Sequence, residues 1–91
     1  MNLEVSIRFP DGVNHIYGMD FYRCSYNIIF IPDEIYLAAY KIHNHLYEVR
    51  YFLYKSKEIG FYSFRGLKEM YNFVQNLLKV KLFDVEQKQE G

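Results

Sequence analysis

The side chains best suited to chemistry are three histidines and one cysteine, and two of the histidines flank a single residue in His43-Asn44-His45. Residues i and i+2 of a strand share a face, so a His-x-His pair can offer two imidazoles to a zinc ion. A complete site needs three or four ligands. His15 and Cys24 are the other nitrogen and sulfur donors, and no spacing ties them to the pair. Asn tolerates positive φ, and His does so more often than most residues, so the tripeptide reads as the tip of a hairpin. Cys24 has no flanking motif that would activate a thiolate, and a lone cysteine ordinarily behaves as a small inert side chain. Asp33-Glu34 stand at an element boundary, where acids cap a helix or stay solvated. Glu48 and Arg50 lie two apart on one strand face and read as a surface ion pair, which contributes little. Gly12, Gly18, Gly60 and Gly66 are isolated, so no phosphate-binding loop is assigned. With no catalytic constellation, cofactor motif or metal site, the chain reads as non-enzymatic.

Composition narrows the partners. The chain has 91 residues, of which 51% are hydrophobic and 24% charged, the profile of one globular domain. Eleven basic residues balance eleven acidic ones, and the signs are interleaved. Duplex nucleic acid is bound mainly through phosphate neutralisation, which needs a basic patch, and no run of Lys or Arg is present. One cysteine excludes an internal disulfide. The N-terminus alternates like a strand rather than a signal peptide, and no apolar stretch approaches the roughly 20 residues that span a bilayer. A cytoplasmic protein is expected. Ten Tyr and eight Phe with no Trp is a heavy aromatic load. It fits a recognition surface. It also fits AT-rich coding, since Tyr, Phe, Ile, Asn and Lys are all plentiful.

The elements that must position these residues follow from periodicity. Leu3, Val5, Ile7 and Phe9 alternate with polar residues, so residues 3–9 form a strand. Pro10-Asp11-Gly12 supplies a turn, with Pro at i+1 and Gly at the positive-φ position, and residues 3–21 read as a hairpin. A third strand spans about 26–31; apolar on both faces, it is expected centrally or beneath a helix. Residues 33–43 are ambiguous. Pro32 followed by two acids can start a short helix. The favoured alternative is a strand over about 36–42 that turns at 43–44 and returns through 45–54. Ile59–Ser63 is a further short strand. Residues 64–80 form an amphipathic helix with Ser63 as N-cap, its apolar arc about 180° wide where roughly 100° suffices for one core face. One flank, Phe73 with Val80 or Tyr71 with Leu78, is therefore expected to meet a second surface. Val80–Val85 reads as a short strand or extended segment, and 87–91 as a polar tail beyond a single domain over 1–86.

The expected fold is α+β: a mostly antiparallel, meander-like sheet of four to six strands on one C-terminal helix. A two-residue turn at 43–44 would pair Tyr40 with Tyr47, Ala38 with Val49 and Tyr36 with Tyr51 on one face. Tyr36, Tyr40, Tyr47, Arg50, Tyr51 and Tyr54 are accordingly the candidate interaction residues. The expected function is a non-enzymatic protein-binding module, on small scale and style a bacteriophage or mobile-element inhibitor of a host or defence complex. A protein partner is expected, and a homodimer is a reasonable one for so small a core. Two alternatives stand beside it: single-stranded nucleic-acid binding through the Tyr face, and a homo-oligomeric small-ligand-binding module.

Overall fold

The computed structural model describes residues 2–9, 12, 14–22, 24–81 and 84–90, with side chains over 3–9, 12, 14–22 and 24–79. The element order is β1 (Asn2–Arg8), β2 (Asn14–Asp20), β3 (Tyr26–Ile31), β4 (Ile35–His43), β5 (Leu46–Leu53), β6 (Glu58–Phe64), α1 (Leu67–Lys81) and β7 (Asp84–Glu90). Two antiparallel sheets result, β2-β1-β7 and the meander β3-β4-β5-β6. The class is α+β, as the patterning requires. No helix among the described residues is long and apolar enough to cross a membrane.

Turn chemistry decides the connections. Gly12, at φ 87°, donates its N–H to the Phe9 carbonyl at 3.0 Å and closes the first hairpin; Pro10 and Asp11 lie outside the described residues. Between β3 and β4, Pro32 is followed by Asp33 at φ 64°, and Glu34 N–H reaches the Ile31 carbonyl at 3.0 Å. Pro at i+1 and a left-handed residue at i+2 are the marks of a type II turn. Pro32 therefore begins a hairpin, and residues 35–43 are strand rather than helix.

The two sheets meet where β2 runs beside β3. Asn27 bridges the seam: its Oδ1 accepts from Asp20 N–H at 3.2 Å, and its amide donates to the Asp20 carbonyl at 3.5 Å. Tyr17 donates its hydroxyl to the Phe30 carbonyl at 3.2 Å. β3 is thus an edge strand blunted by side chains; of the two positions its apolar faces suggested, central or beneath a helix, the central one is overturned.

α1 touches β5 and β6 at one end of this curved run of strands and β7 at the other. One continuous core joins all three layers, including Leu3, Ile7, Met19, Leu37, Val49 and Met70. The broad apolar arc of the helix follows from that position. Tyr71 and Leu78 are fully buried, with the Tyr71 hydroxyl donating to the Met19 carbonyl at 3.3 Å. On the other flank Phe73 packs against Tyr62 and Phe64 of β6, ring centroids 4.7 and 5.2 Å away. Both flanks are covered within the chain. The Val80 side chain lies outside the described residues.

Three boundaries differ from expectation. Ser63 belongs to β6, paired with Glu48, so it does not cap the helix. Gly66 precedes the first turn instead, its carbonyl accepting from Met70 N–H at 3.2 Å. The helix continues to Lys81, so residues 80 and 81 are helical rather than extended. Residues 84–90 pair with β1 along its length, Ile7 opposite Val85 and Leu3 opposite Gln89. The expected tail at 87–91 is therefore strand through Glu90. The driving force is the backbone: without β7, one side of β1 would present a row of unpaired N–H and C=O groups.

Candidate interaction surface

The four-stranded sheet has an inner face, turned to α1, and an outer face. Strand register assigns every residue to one of them. β4 pairs with β5 as Tyr36 opposite Phe52, Ala38 opposite Arg50 and Tyr40 opposite Glu48, the turn lying at Asn44-His45 with an irregularity between Lys41 and His43. This differs by one residue from the register that a turn at 43–44 imposes. A one-residue slip moves every side chain of one strand to the other face. The expected Tyr ladder is accordingly split. Tyr47 and Tyr51 point inward and are each 6% exposed, whereas Tyr36, Tyr40 and Arg50 point outward. Tyr54 follows β5 and is exposed.

The inward pair is core. Tyr47 packs edge-on against Phe21, centroids 5.7 Å apart. Tyr51 stacks on Tyr62 at 6.2 Å with planes 5° apart, and its hydroxyl donates to Glu58 Oε2 at 2.7 Å. Burial first, and then the Glu58 carboxylate, pushes the Tyr51 phenol well above its ordinary value. Its ring also covers Gly60, the residue directly opposite on β6, so closely that a Cβ there would overlap the ring.

The outer face carries three cross-strand rows. They are Tyr26, Tyr40, Glu48 and Ser63; Ile28, Ala38, Arg50 and Phe61; and Phe30, Tyr36, Phe52 and Ile59. Most of these large apolar side chains are exposed, Ile59 by 77% and Phe61 by 53%. They form a connected surface. Tyr26 lies 4.9 Å from Tyr40, Phe30 lies 6.1 Å from Tyr36, and Phe52 lies 4.9 Å from Tyr54, centroid to centroid. The Tyr26 and Tyr36 hydroxyls are 3.5 Å apart, and this contact, with smaller contributions, raises the Tyr26 phenol to about 12. At the centre Arg50 places its guanidinium over the rings of Tyr40, at 5.5 Å, and Phe61, at 4.9 Å. It forms no ion pair with Glu48 or any other carboxylate among the described residues. The rings hold the cation by their quadrupoles, and the expected Glu48–Arg50 pair is absent.

The first sheet shows what an ordinary solvated face of this chain looks like. The residues of β1 and β2 opposite its core include Glu4, Ser6, Arg8 and Asn14, with Ile16 as an exposed apolar exception. Coding bias would act on both sheets alike, so the concentration of rings on one of them is a property of that face. Sequence reasoning found Tyr36, Tyr40, Arg50 and Tyr54 but missed Tyr26, Ile28, Phe30, Phe61 and Ile59. For Tyr26, Ile28 and Phe30 the signal is the doubly apolar pattern of residues 26–31, which an edge strand with an apolar outer face shares with a strand buried on both sides.

The histidine pair is a turn. His43 Nδ1 accepts the His45 backbone N–H at 3.1 Å, which fixes the tip of the β4–β5 hairpin. Among the described residues no three His, Cys, Asp or Glu side chains converge as metal ligands, and Cys24 is exposed. A wide-mouthed concavity of about 530 Å³ lies between Phe9, His15 and Tyr17 on one side and the β3–β4 turn on the other. Lys55 crosses its rim to Glu34 at 2.9 Å. No family model, curated protein or solved structure matches this chain.

Proposed function

We propose that this protein is a non-enzymatic protein-binding module whose binding surface is the outer face of β3-β4-β5-β6. The observation that carries the reading is the exposure of a connected aromatic and aliphatic sheet face on so small a domain. Soluble monomers rarely leave apolar patches larger than a few hundred Å² uncovered, and those that do so commonly use them for association. Tyr, Phe and Arg are also the residue types that dominate binding energy when a partner covers them. Single-stranded nucleic acid also stacks on exposed rings, but Arg50 is the only cation among the outward strand residues and Glu48 stands beside it.

The test is the double variant Phe30→Glu/Phe61→Glu. Both positions are exposed, so the fold should persist, as circular dichroism would check. Association of the wild type, with itself or with proteins of a cell extract, should be lost in the variant. Equal association by both proteins would refute the assignment.

A further inference from the structure

We infer that the outer face is occupied by a second copy of this chain, the two four-stranded sheets closing face to face about a two-fold axis. The inference rests on the reading of that face as the interaction surface and names its occupant.

Area is the first argument. Taking roughly 200 Å² for each large side chain, the exposed fractions of the rings, Ile28 and Ile59 on this face sum to on the order of 650–700 Å² per protomer, before Tyr40, Arg50 and Phe52 add their share. A standard stable interface buries about 800 Å² on each partner. The patch is therefore the size that a dimer needs.

Charge is the second. The outward strand residues carry one acid, Glu48, and one base, Arg50, and neither has an ion-pair partner among the described residues. A foreign partner would have to supply a matching pair. A second copy supplies it by symmetry, because in a two-fold interface residue i meets j while j meets i.

Register makes this specific. Let the axis lie between the sheets, crossing the strands at the level of Val49. Then β5 runs antiparallel over β5 of the second copy, and each middle row lies over the row bearing Glu48. Glu48 faces Arg50 of the second copy, twice over. Tyr40 faces Ala38 of the second copy, and Phe61 faces Ser63. At these two positions large meets small, as interdigitating sheets about 10 Å apart require, while at the β3 edge Tyr26 faces Ile28 of the second copy. Arg50 is held over its two rings before association, so little side-chain freedom is lost when it pairs.

The experiment is sedimentation equilibrium on the full chain. The wild type should dimerise with a dissociation constant of micromolar or tighter. Glu48→Arg opposes two pairs of like charges and should weaken the dimer by about a hundredfold or more. The charge exchange Glu48→Arg/Arg50→Glu should restore it to within about tenfold of wild type. Both side chains lie on the outer face, so loss of fold is not the expected cause of any change, and circular dichroism checks this. A wild type that stays monomeric at on the order of 100 µM overturns the inference. A dimer indifferent to Glu48→Arg does so too, and would place the contact elsewhere, for example along the open edge of β6. In either case the Phe30→Glu/Phe61→Glu comparison stands apart. If those substitutions abolish capture of another protein, the face remains the interaction surface and only its occupant was wrong.

Discussion

Replacing Gly60 by Ala should destabilise this protein far more than a single methyl group suggests. The added Cβ would fall within the ring of Tyr51, against Cε1, Cζ and the hydroxyl oxygen. Tyr51 has little room to retreat. It is 6% exposed, stacked on Tyr62, beside Phe73 and hydrogen-bonded to Glu58. Overpacking of this kind costs about 1–3 kcal/mol. If the ring swings away, a hydrogen bond to a charged acceptor is lost as well, worth about 1.5–3 kcal/mol. Against these stands a gain of about 0.4–1 kcal/mol from the less flexible unfolded chain. The net loss is about 2–4 kcal/mol, a large share of the ~5–14 kcal/mol expected for a domain of this size. The melting temperature should fall by about 10–25 °C. Urea denaturation measures the change, and a double-mutant cycle locates it. In a Tyr51→Leu background the ring is gone, and Gly60→Ala should cost less than about 0.5 kcal/mol or stabilise. A single variant within 0.5 kcal/mol of wild type, or an unchanged cost in the Tyr51→Leu background, would refute the reasoning.

Other predictions concern turns and titration. Lys57 sits at φ 58° in the β5–β6 turn, so Lys57→Gly should stabilise by about 0.5–1 kcal/mol, read as a rise in melting temperature. Burial, with Asp20 nearby, raises the Tyr71 phenol to about 12, whereas an unfolded tyrosine titrates near 10. Between those values the unfolded chain releases a proton that the native state keeps. Stability is therefore intact below about pH 10 and falls as pH rises, by about 1.4 kcal/mol per unit from this group. Tyr51 adds to the same alkaline loss. Denaturation at stepped pH should show the decline, with a shallower slope in Tyr71→Phe. That variant should also lose about 1 kcal/mol at neutral pH through its bond to the Met19 carbonyl.

The helix and the first hairpin were legible because each has one wet side and one dry side, which fixes period and orientation together. The meander was legible as strands but not as faces. Tyrosines occupy both parities around the β4–β5 turn: 36 and 40 before it, 47 and 51 after it. Either register therefore looks apolar on one side, and the pattern cannot choose between them. The choice is made by the irregularity at Ile42 and by the His43–His45 contact, which are local geometry rather than hydrophobicity. Pro32-Asp33 misled in a related way: acids after Pro suit a helix start, and only the left-handed Asp33 reveals a turn. β7 was legible only at Asp84-Val85, which read as extended; from Glu86 to Glu90 there is no apolar alternation, and the pairing is made by backbone groups that every residue except Pro supplies.

That last pairing sets the order in which the molecule can assemble. The β3–β6 meander grows by hairpins whose partners are close in sequence, so each step closes a short loop at small entropic cost. The β1–β7 ladder instead joins the first strand to the last, and it can close only after everything between has been made. During synthesis the β1–β2 hairpin emerges early with one apolar-flanked edge open, and it waits through the production of the whole meander and helix before β7 arrives to seal it. The ladder should accordingly be absent from the folding transition state, with φ-values near zero for substitutions in β7. The interval before closure is when this chain is most open to strand exchange with its neighbours.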